Sequence, residues 1–204
     1  MAPKDDKSDG FNVSRRNFLK SAGVAGIAAS VVGGSEAEAQ TGPPVVGPGD
    51  VPVRLMVNGK QVNLMIEPRV TLLDALRMRA DITGNKRGCD RGACGACTMI
   101  VDGRPVYACS TLAIEVQGKT IRNVDGLANG ATLHPVQQAF CDHDALMCGF
   151  CTPGFIMASV ALLEKNPTPT PDQIRKGLDG NICRCGTFSR IFEAVSSVKG
   201  VQRG

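Results

Sequence analysis

Three cysteines at Cys89-x4-Cys94-x2-Cys97 stand in the stretch KRGCDRGACGACTM, and a fourth, Cys109, follows twelve residues after Cys97. Thiols at this spacing reach a common centre only if the chain between them wraps as a loop and the fourth returns beside it. Gly88, Gly92, Ala93, Gly95 and Ala96 keep that loop small, so its backbone N–H groups are unobstructed and free to point at sulfur. Five further cysteines, Cys141, Cys148, Cys151, Cys183 and Cys185, bring the total to nine, an odd number. A chain that folds here must therefore be built around thiol chemistry, and the question is which kind.

The N-terminus bears on the answer. Ser14-Arg15-Arg16-Asn17-Phe18-Leu19-Lys20 fits the twin-arginine export pattern S/T-R-R-x-F-L-K. Residues 21–34 form a mildly apolar run of alanine, valine and glycine. As a helix this run would be roughly 21 Å long against roughly 30 Å of bilayer hydrocarbon, which suits a signal segment and not a membrane anchor. Ala37-Glu38-Ala39 supplies an A-x-A cleavage site before Gln40. An unfolded export substrate would meet an oxidising compartment with its thiols free to pair. The twin-arginine route carries chains already folded and loaded in the reducing cytoplasm, so it weakens a disulfide reading and strengthens a metal one. The expected destination is the periplasm.

Behind the signal, residues 40–51 are rich in proline and glycine and read as a tether. Two alternating apolar runs, 53–57 and 62–66, flank Asn58-Gly59, a strong hairpin signal. Thr71 is expected to cap a short helix with Leu72, Leu73, Leu76 and Met78 as its apolar positions. Strands are expected at 98–101 and 105–109 around Asp102-Gly103, with one more β segment between 116 and 124. From residue 132 the pattern turns helical. Thr132 is expected to cap a helix from Leu133 to about His143, and Thr152-Pro153 to open a buried one. Thr170-Pro171-Asp172-Gln173 reads as a capping box, and Thr187 as the cap of a helix carrying Ile191, Phe192, Val195 and Val198 on one face. Four short helices with short links imply a bundle. The predicted layout is a signal at 1–39, a linker at 40–51, an α+β unit at 52–129 and an all-α unit at 130–204.

The first cysteine set has the C-x4-C-x2-C…C arrangement with which plant-type ferredoxins hold a 2Fe–2S cluster. Zinc sites more often use two separated close pairs. The second set, Cys148-Gly149-Phe150-Cys151 with Cys183-Arg184-Cys185, is less specific. Its spacing also fits structural zinc, and Cys-x-x-Cys alone fits a redox pair, though that needs a preceding strand where a helix is expected. The neighbouring first set favours a second cluster, as does the position of both pairs just before helix starts, where the helix dipole stabilises thiolate. Cys141 is left over inside a helix and reads as an inert buried thiol. The net charge of +4 counts every thiol as neutral. Two oxidised clusters with their thiolates carry about −2 each, which cancels it. Neither the charge nor any lysine/arginine cluster points to nucleic acid or a membrane surface.

With both sets in view, the chain resembles the small iron–sulfur subunit of the molybdenum hydroxylases. This is the family of xanthine dehydrogenase, aldehyde oxidoreductase, carbon monoxide dehydrogenase and isoquinoline oxidoreductase. The motifs that carry the resemblance are GCDRGACGACT, LHPVQQAF, CGFCTPGF and GNICRCGTF, within about residues 52 to 198. The export signal and CRCGTF look most like the periplasmic aldehyde oxidoreductases and isoquinoline-type enzymes. The resemblance implies a β-grasp ferredoxin domain with a 2Fe–2S cluster on Cys89, Cys94, Cys97 and Cys109. A four-helix domain would hold the other on Cys148, Cys151, Cys183 and Cys185. It implies a separate large subunit carrying molybdopterin, with Cys185 approaching the pterin, and FAD or another acceptor beyond the outward cluster. The family usually has glutamine before C-G-F-C; here Met147 stands, which cannot donate that hydrogen bond.

Read this way, the chain is an electron relay for oxidation of an aldehyde or N-heterocycle, and supplies no acid, base or nucleophile. Its two histidines, His134 and His143, are expected on one helix in structural or solvated roles, and Arg91, Arg184 and Arg190 beside the cysteines as solvated charges. No Gly-rich nucleotide-binding motif and no C-x-x-C-H haem attachment occurs, so FAD or a cytochrome would belong to a partner. A free-standing periplasmic ferredoxin remains the alternative, but it has no use for a helical half bearing four thiols.

Overall fold

The computed structural model describes residues 46–198. The export signal, the cleavage site and part of the tether lie outside the described residues.

β1 (Val51–Val57) and β2 (Lys60–Ile66) form the expected antiparallel hairpin, with Asn58 and Gly59 at φ +51° and +75° in the turn. Such a two-residue turn matches strand twist only with both central residues left-handed, which Asn-Gly supplies at low cost. β3 (Thr98–Val101), β4 (Arg104–Tyr107) and β5 (Thr120–Arg122) complete a five-stranded sheet in the order β2-β1-β5-β3-β4. β5 runs parallel to β1, and every other neighbouring pair is antiparallel. α1 (Leu72–Asp74) covers one face, with Thr71 Oγ1 accepting the Asp74 N–H at 3.2 Å as its sequence implied. It continues as a π-type turn over Ala75–Arg79, and this widening leaves Met78, expected in the core, 69% exposed.

The second half contains α2 (Pro135–Asp142), α3 (Thr152–Lys165), α4 (Pro171–Gly177) and α5 (Phe188–Ser197). α3 packs directly on β3, which explains why all four residues of that strand are buried. Met99 and Val101 enter one core with Leu55, Leu72, Leu76 and Ile121, while Ile100 points the other way into a core with Phe140, Phe155, Val160 and Ile191. Side chains alternate across a strand, so one short strand serves two cores. A bidentate ion pair, Arg122 to Glu164 at 2.6–2.7 Å, joins β5 to α3 beside this contact. Among the described residues, no helix is long and apolar enough to cross a membrane.

Three helix starts differ from expectation. The α2 cap is His134, not Thr132: His134 Nδ1 accepts the Val136 N–H at 3.2 Å and Gln137 Oε1 accepts the His134 N–H at 3.0 Å. Pro135 at the first helical position places the boundary there. α3 begins after Cys151, and Thr152 lies inside it. Thr187 stands at the start of α5 but makes no side-chain cap, because its hydroxyl is engaged elsewhere. Among the four helices of this half, only Thr170 caps as expected, in a full capping box with Gln173.

The His134 cap makes stability sensitive to acid. Burial holds its imidazole below the ordinary histidine range, with Glu164 opposing and Arg122 reinforcing that shift. Only the neutral ring can accept the Val136 N–H. A depressed folded value means that the unfolded chain protonates first as pH falls through about 6.5, so stability present above that pH is lost below it. The mature chain is expected to melt at a lower temperature near about pH 5.5 than near about pH 7.5. His134→Asn, a good cap that does not titrate, should shrink the difference. An undiminished difference would trace the acid sensitivity to other groups.

Candidate metal centre

The first thiol loop runs between α1 and β3. Cys89 and Cys94 are half-buried, while Cys97, at the foot of β3, and Cys109, in the short 3-10 turn after β4, are buried. The backbone N–H of Gly92 donates to Cys109 Sγ and that of Ala93 donates to Cys89 Sγ, each at 3.3 Å. These are the unobstructed N–H groups that the small residues of the loop promised. A Cβ on Gly88 would lie 2.8 Å from Cys94 Sγ, so the loop closes on its sulfurs only with glycine there. The thiol of Cys94 acts on the ionisation of Cys89, and that of Cys109 on the ionisation of Cys97.

The second set repeats this arrangement on the helical half. Cys148 precedes α3, Cys151 is its N-cap, and Cys183 and Cys185 lie on the link into α5. Cys148 Sγ and Cys185 Sγ are 3.5 Å apart, and the thiols of Cys151 and Cys183 act on each other's ionisation. Thr187 Oγ1 lies 3.1 Å from Cys183 Sγ, which is where the missing cap hydroxyl goes. Cys148 and Cys185 are exposed and Cys183 is buried. Both sets open on one cleft of about 620 Å³, lined also by Arg91, Phe150, Ile182 and Arg184.

The thiols are electrostatically unequal. Backbone N–H groups of Arg91 and Ala93 bring Cys89 down to about 6, whereas burial pushes Cys97 up to about 12. In the second set burial likewise pushes Cys151 up to about 12. Burial also acts to raise Cys183, but hydrogen bonds from Thr187 outweigh it and leave the thiol at about 7. The backbone N–H of Phe150 lowers Cys148, while Cys185, despite a backbone bond with Cys148, is raised by sharing a proton with that thiol. Each set contains sulfurs that ionise readily and partners that keep a proton until a cation displaces it.

This donor chemistry fits a two-iron cluster, in which each iron takes two thiolates and N–H groups face the sulfurs. Among the described residues, no three donors converge on a single point as a one-ion site would need. Cys141 is corrected: it is exposed on α2, away from both sets, because the buried face of that helix is taken by Val136, Ala139 and Phe140. Arg190 is also not merely solvated, since it pairs with the Asp144 carboxylate. Sequence reasoning missed Thr187, which meets the Cys183 sulfur, Asn181, whose amide donates to Gly95 O, and Tyr107, whose hydroxyl donates to Gly180 O. Only the four-residue spacing of Cys183 and Thr187 could have shown one of them.

The 2Fe–2S iron–sulfur cluster binding domain family matches residues 60–147 and the 2Fe–2S binding domain family residues 123–196. The twin-arginine translocation pathway signal matches residues 12–32, so the chain is exported to the periplasm by that route. The chain is 40% identical over 205 residues to the aldehyde oxidoreductase iron–sulfur-binding subunit PaoA of Escherichia coli O157:H7, covering 93% of this chain and 90% of the relative. It is 46% identical over 150 residues to the nicotine 6-hydroxylase small subunit of Paenarthrobacter nicotinovorans, covering 74% and 90%. Among solved structures, quinoline 2-oxidoreductase from Pseudomonas putida 86 superposes with a TM-score of 0.71 at 39% identity, covering 74% of this chain and 93% of that one. The aldehyde oxidoreductase of Desulfovibrio desulfuricans ATCC 27774 superposes at 0.68 with 38% identity, but the match covers 71% of this chain and only 16% of that much longer one. Two iron–sulfur domains in series, and small subunits matched over nine-tenths of their length, place this oxidoreductase subunit in the iron–sulfur small-subunit family of the molybdenum hydroxylases.

Proposed function

We propose that the chain is the electron-transfer subunit of a periplasmic molybdenum-dependent hydroxylase acting on an aldehyde or an N-heterocycle. In this reading residues 52–129 are a β-grasp ferredoxin domain holding a 2Fe–2S cluster on Cys89, Cys94, Cys97 and Cys109. Residues 130–204 are a four-helix domain holding a second on Cys148, Cys151, Cys183 and Cys185. Each cluster, when bound, takes up and gives back one electron, linking the molybdopterin of a large partner subunit to FAD or another acceptor. The observation that carries the reading is the gathering of the thiols into two sets of four, of which Cys89, Cys94, Cys148, Cys151, Cys183 and Cys185 line one cleft while Cys97 and Cys109 are buried behind it.

The chain's own residues hold, shield and orient. Gly92 and Ala93 N–H groups and the Thr187 hydroxyl stabilise anionic sulfur. Cys97 and Cys109 are held in the sheet core, away from water. The second set instead reaches the surface through Cys148 and Cys185, and apolar Met147, Phe150 and Ile182 beside them are 65%, 47% and 46% exposed. Clustered exposed apolar side chains mark a surface that a partner covers. In this reading the molybdopterin subunit covers that surface, with Cys185 nearest the pterin, and Met147 offers it apolar contact without a hydrogen bond.

The test is affinity capture of the mature chain from its native periplasm, followed by mass spectrometry of the intact complex. A molybdopterin subunit should accompany it. An additional FAD protein would make flavin the electron exit, and its absence would point to a cytochrome or quinone. Recovery of the chain alone from a preparation that preserves complexes would overturn the subunit reading and leave a free-standing ferredoxin-like carrier.

A further inference from the structure

Three consecutive carbonyls of the first thiol loop, those of Cys94, Gly95 and Ala96, are occupied from behind. Cys94 O accepts the N–H of Ile182 at 2.9 Å, and Ala96 O accepts that of Lys86 at 3.2 Å. Gly95 O is bonded most heavily. It accepts from Thr98 N at 3.0 Å, from Thr98 Oγ1 at 2.7 Å and from Asn181 Nδ2 at 2.9 Å. Asn181 Nδ2 also donates to Thr98 Oγ1 at 3.3 Å, and the whole group is buried, Asn181 being 5% exposed. The contact is close: a Cβ on Gly95, whose φ is +70°, would come within 2.5 Å of Asn181 Nδ2 and 2.6 Å of Gly180 O. Two of the donors therefore come from Asn181 and Ile182, in the segment that leads into Cys183 of the other set.

We propose that Asn181 is a positioning residue for the first thiol loop, holding the Gly95 carbonyl away from the sulfurs although it belongs to the second cysteine segment. The inference rests on the two-cluster reading above. A buried carbonyl short of a donor is destabilised, and without Asn181 the Gly95 carbonyl keeps only its two Thr98 bonds to fix its tilt. Gly95, like Gly92 a glycine at positive φ, has no side chain to resist that tilt, so the bonds to its carbonyl set it. Tilting the carbonyl would bring the negative end of a dipole toward thiolates that now face N–H groups. Dipoles and hydrogen bonds at the sulfurs set the potential of an iron–sulfur cluster, and a negative end disfavours the added electron. The side chain of Asn181 has the required chemistry because Gly95 O can only accept and the amide nitrogen can only donate.

The test is an EPR-monitored redox titration of the complex as purified, comparing wild type with Asn181→Leu, which keeps the branched skeleton and removes the donor. Cys109→Ser identifies the signal of the first set as the one it abolishes. Asn181→Leu is expected to shift that signal to a lower potential, and to move the second-set signal less, even though Asn181 lies two residues from Cys183. A first-set potential unchanged in Asn181→Leu would overturn the inference. If Asn181→Leu does not fold, Thr98→Val and Thr98→Ser take its place. Valine removes the hydroxyl that joins Gly95 O to Asn181 and is expected to shift the same signal, and serine restores it. Equal potentials for the two Thr98 variants would overturn the inference. A wild-type complex lacking two distinct iron–sulfur signals would fail differently, removing the two-cluster reading itself.

Discussion

Replacing Cys109 by serine is expected to halve the iron of the mature chain and abolish one of two iron–sulfur EPR signals. Cys109 alone of its set comes from beyond the loop, from the turn after β4, and it is buried with the Gly92 N–H directed at its sulfur. Serine offers a shorter, harder oxygen donor whose deprotonation at neutral pH is far less favourable than that of a thiol. The remaining three thiols keep their places, because the loop is held by its own carbonyl bonds. The variant should therefore fold while failing to hold the first cluster. Electron delivery to the acceptor is expected to fall by about 100-fold or more. Single-turnover oxidation of substrate in the partner subunit should persist. Iron analysis, EPR and a comparison of single with multiple turnover read these effects. Native electron delivery by Cys109→Ser would show that the first set is not on the route to the acceptor.

Gly154→Ala, a change that ordinarily favours a helix, is expected to destabilise the chain by about 2 kcal/mol net. Gly154 lies in the first turn of α3, where the helix crosses the first thiol loop. A Cβ there would lie 2.1 Å from Gly95 O and 3.0 Å from Ala96 Cα, both backbone atoms. Exchanging glycine for alanine inside a helix gains up to about 1 kcal/mol. Forcing a backbone apart in a packed interior costs about 3 kcal/mol, so the clash wins. In a domain of this size the melting temperature should drop by roughly 4–8 °C. Gly180→Ala is the internal comparison. Its Cβ would meet Tyr107 Oη at 2.1 Å, but that is the far end of a side chain that can swing aside, giving up its 2.9 Å bond to Gly180 O. It should cost about 1 kcal/mol. A Gly154→Ala chain as stable as wild type would mean that α3 can lift off the loop, and the close crossing would then have no energetic role.

What could be read from the residues beforehand was whatever depends on neighbours in sequence. The Asn58-Gly59 hairpin, the Thr71 cap and the Thr170 capping box are set by a few adjacent side chains and stand where expected. The cysteine spacings were read from the sequence directly, and the structure brings Cys148 and Cys185 to 3.5 Å and gathers six of the eight thiols on one cleft. Helix starts were harder to read because a hydroxyl near a helix has competing partners. Thr187 turns to the Cys183 sulfur, and a histidine displaces Thr132 as the α2 cap. Met78 and Cys141 were placed in the interior by helical position, but a π-type turn and the burial of another face left both outside. The brace behind the thiol loop was hidden for a different reason. Asn181 and Gly95 are 86 residues apart, and no local pattern links an asparagine to a distant glycine carbonyl.

The crossing of α3 over the first loop bears on modularity. Two domain families meet in this chain, and a cut between residues 129 and 130 would seem to yield two portable iron–sulfur proteins. The isolated N-terminal piece would lose Ile182 and Asn181 as donors to Cys94 O and Gly95 O, and Ile100 would turn from a shared core to water. The C-terminal piece would leave Asn181 unpaired and the Gly154 face of α3 bare. Each fragment would need new surface residues at this seam before it could stand alone, so the two halves are separable in sequence but not in packing.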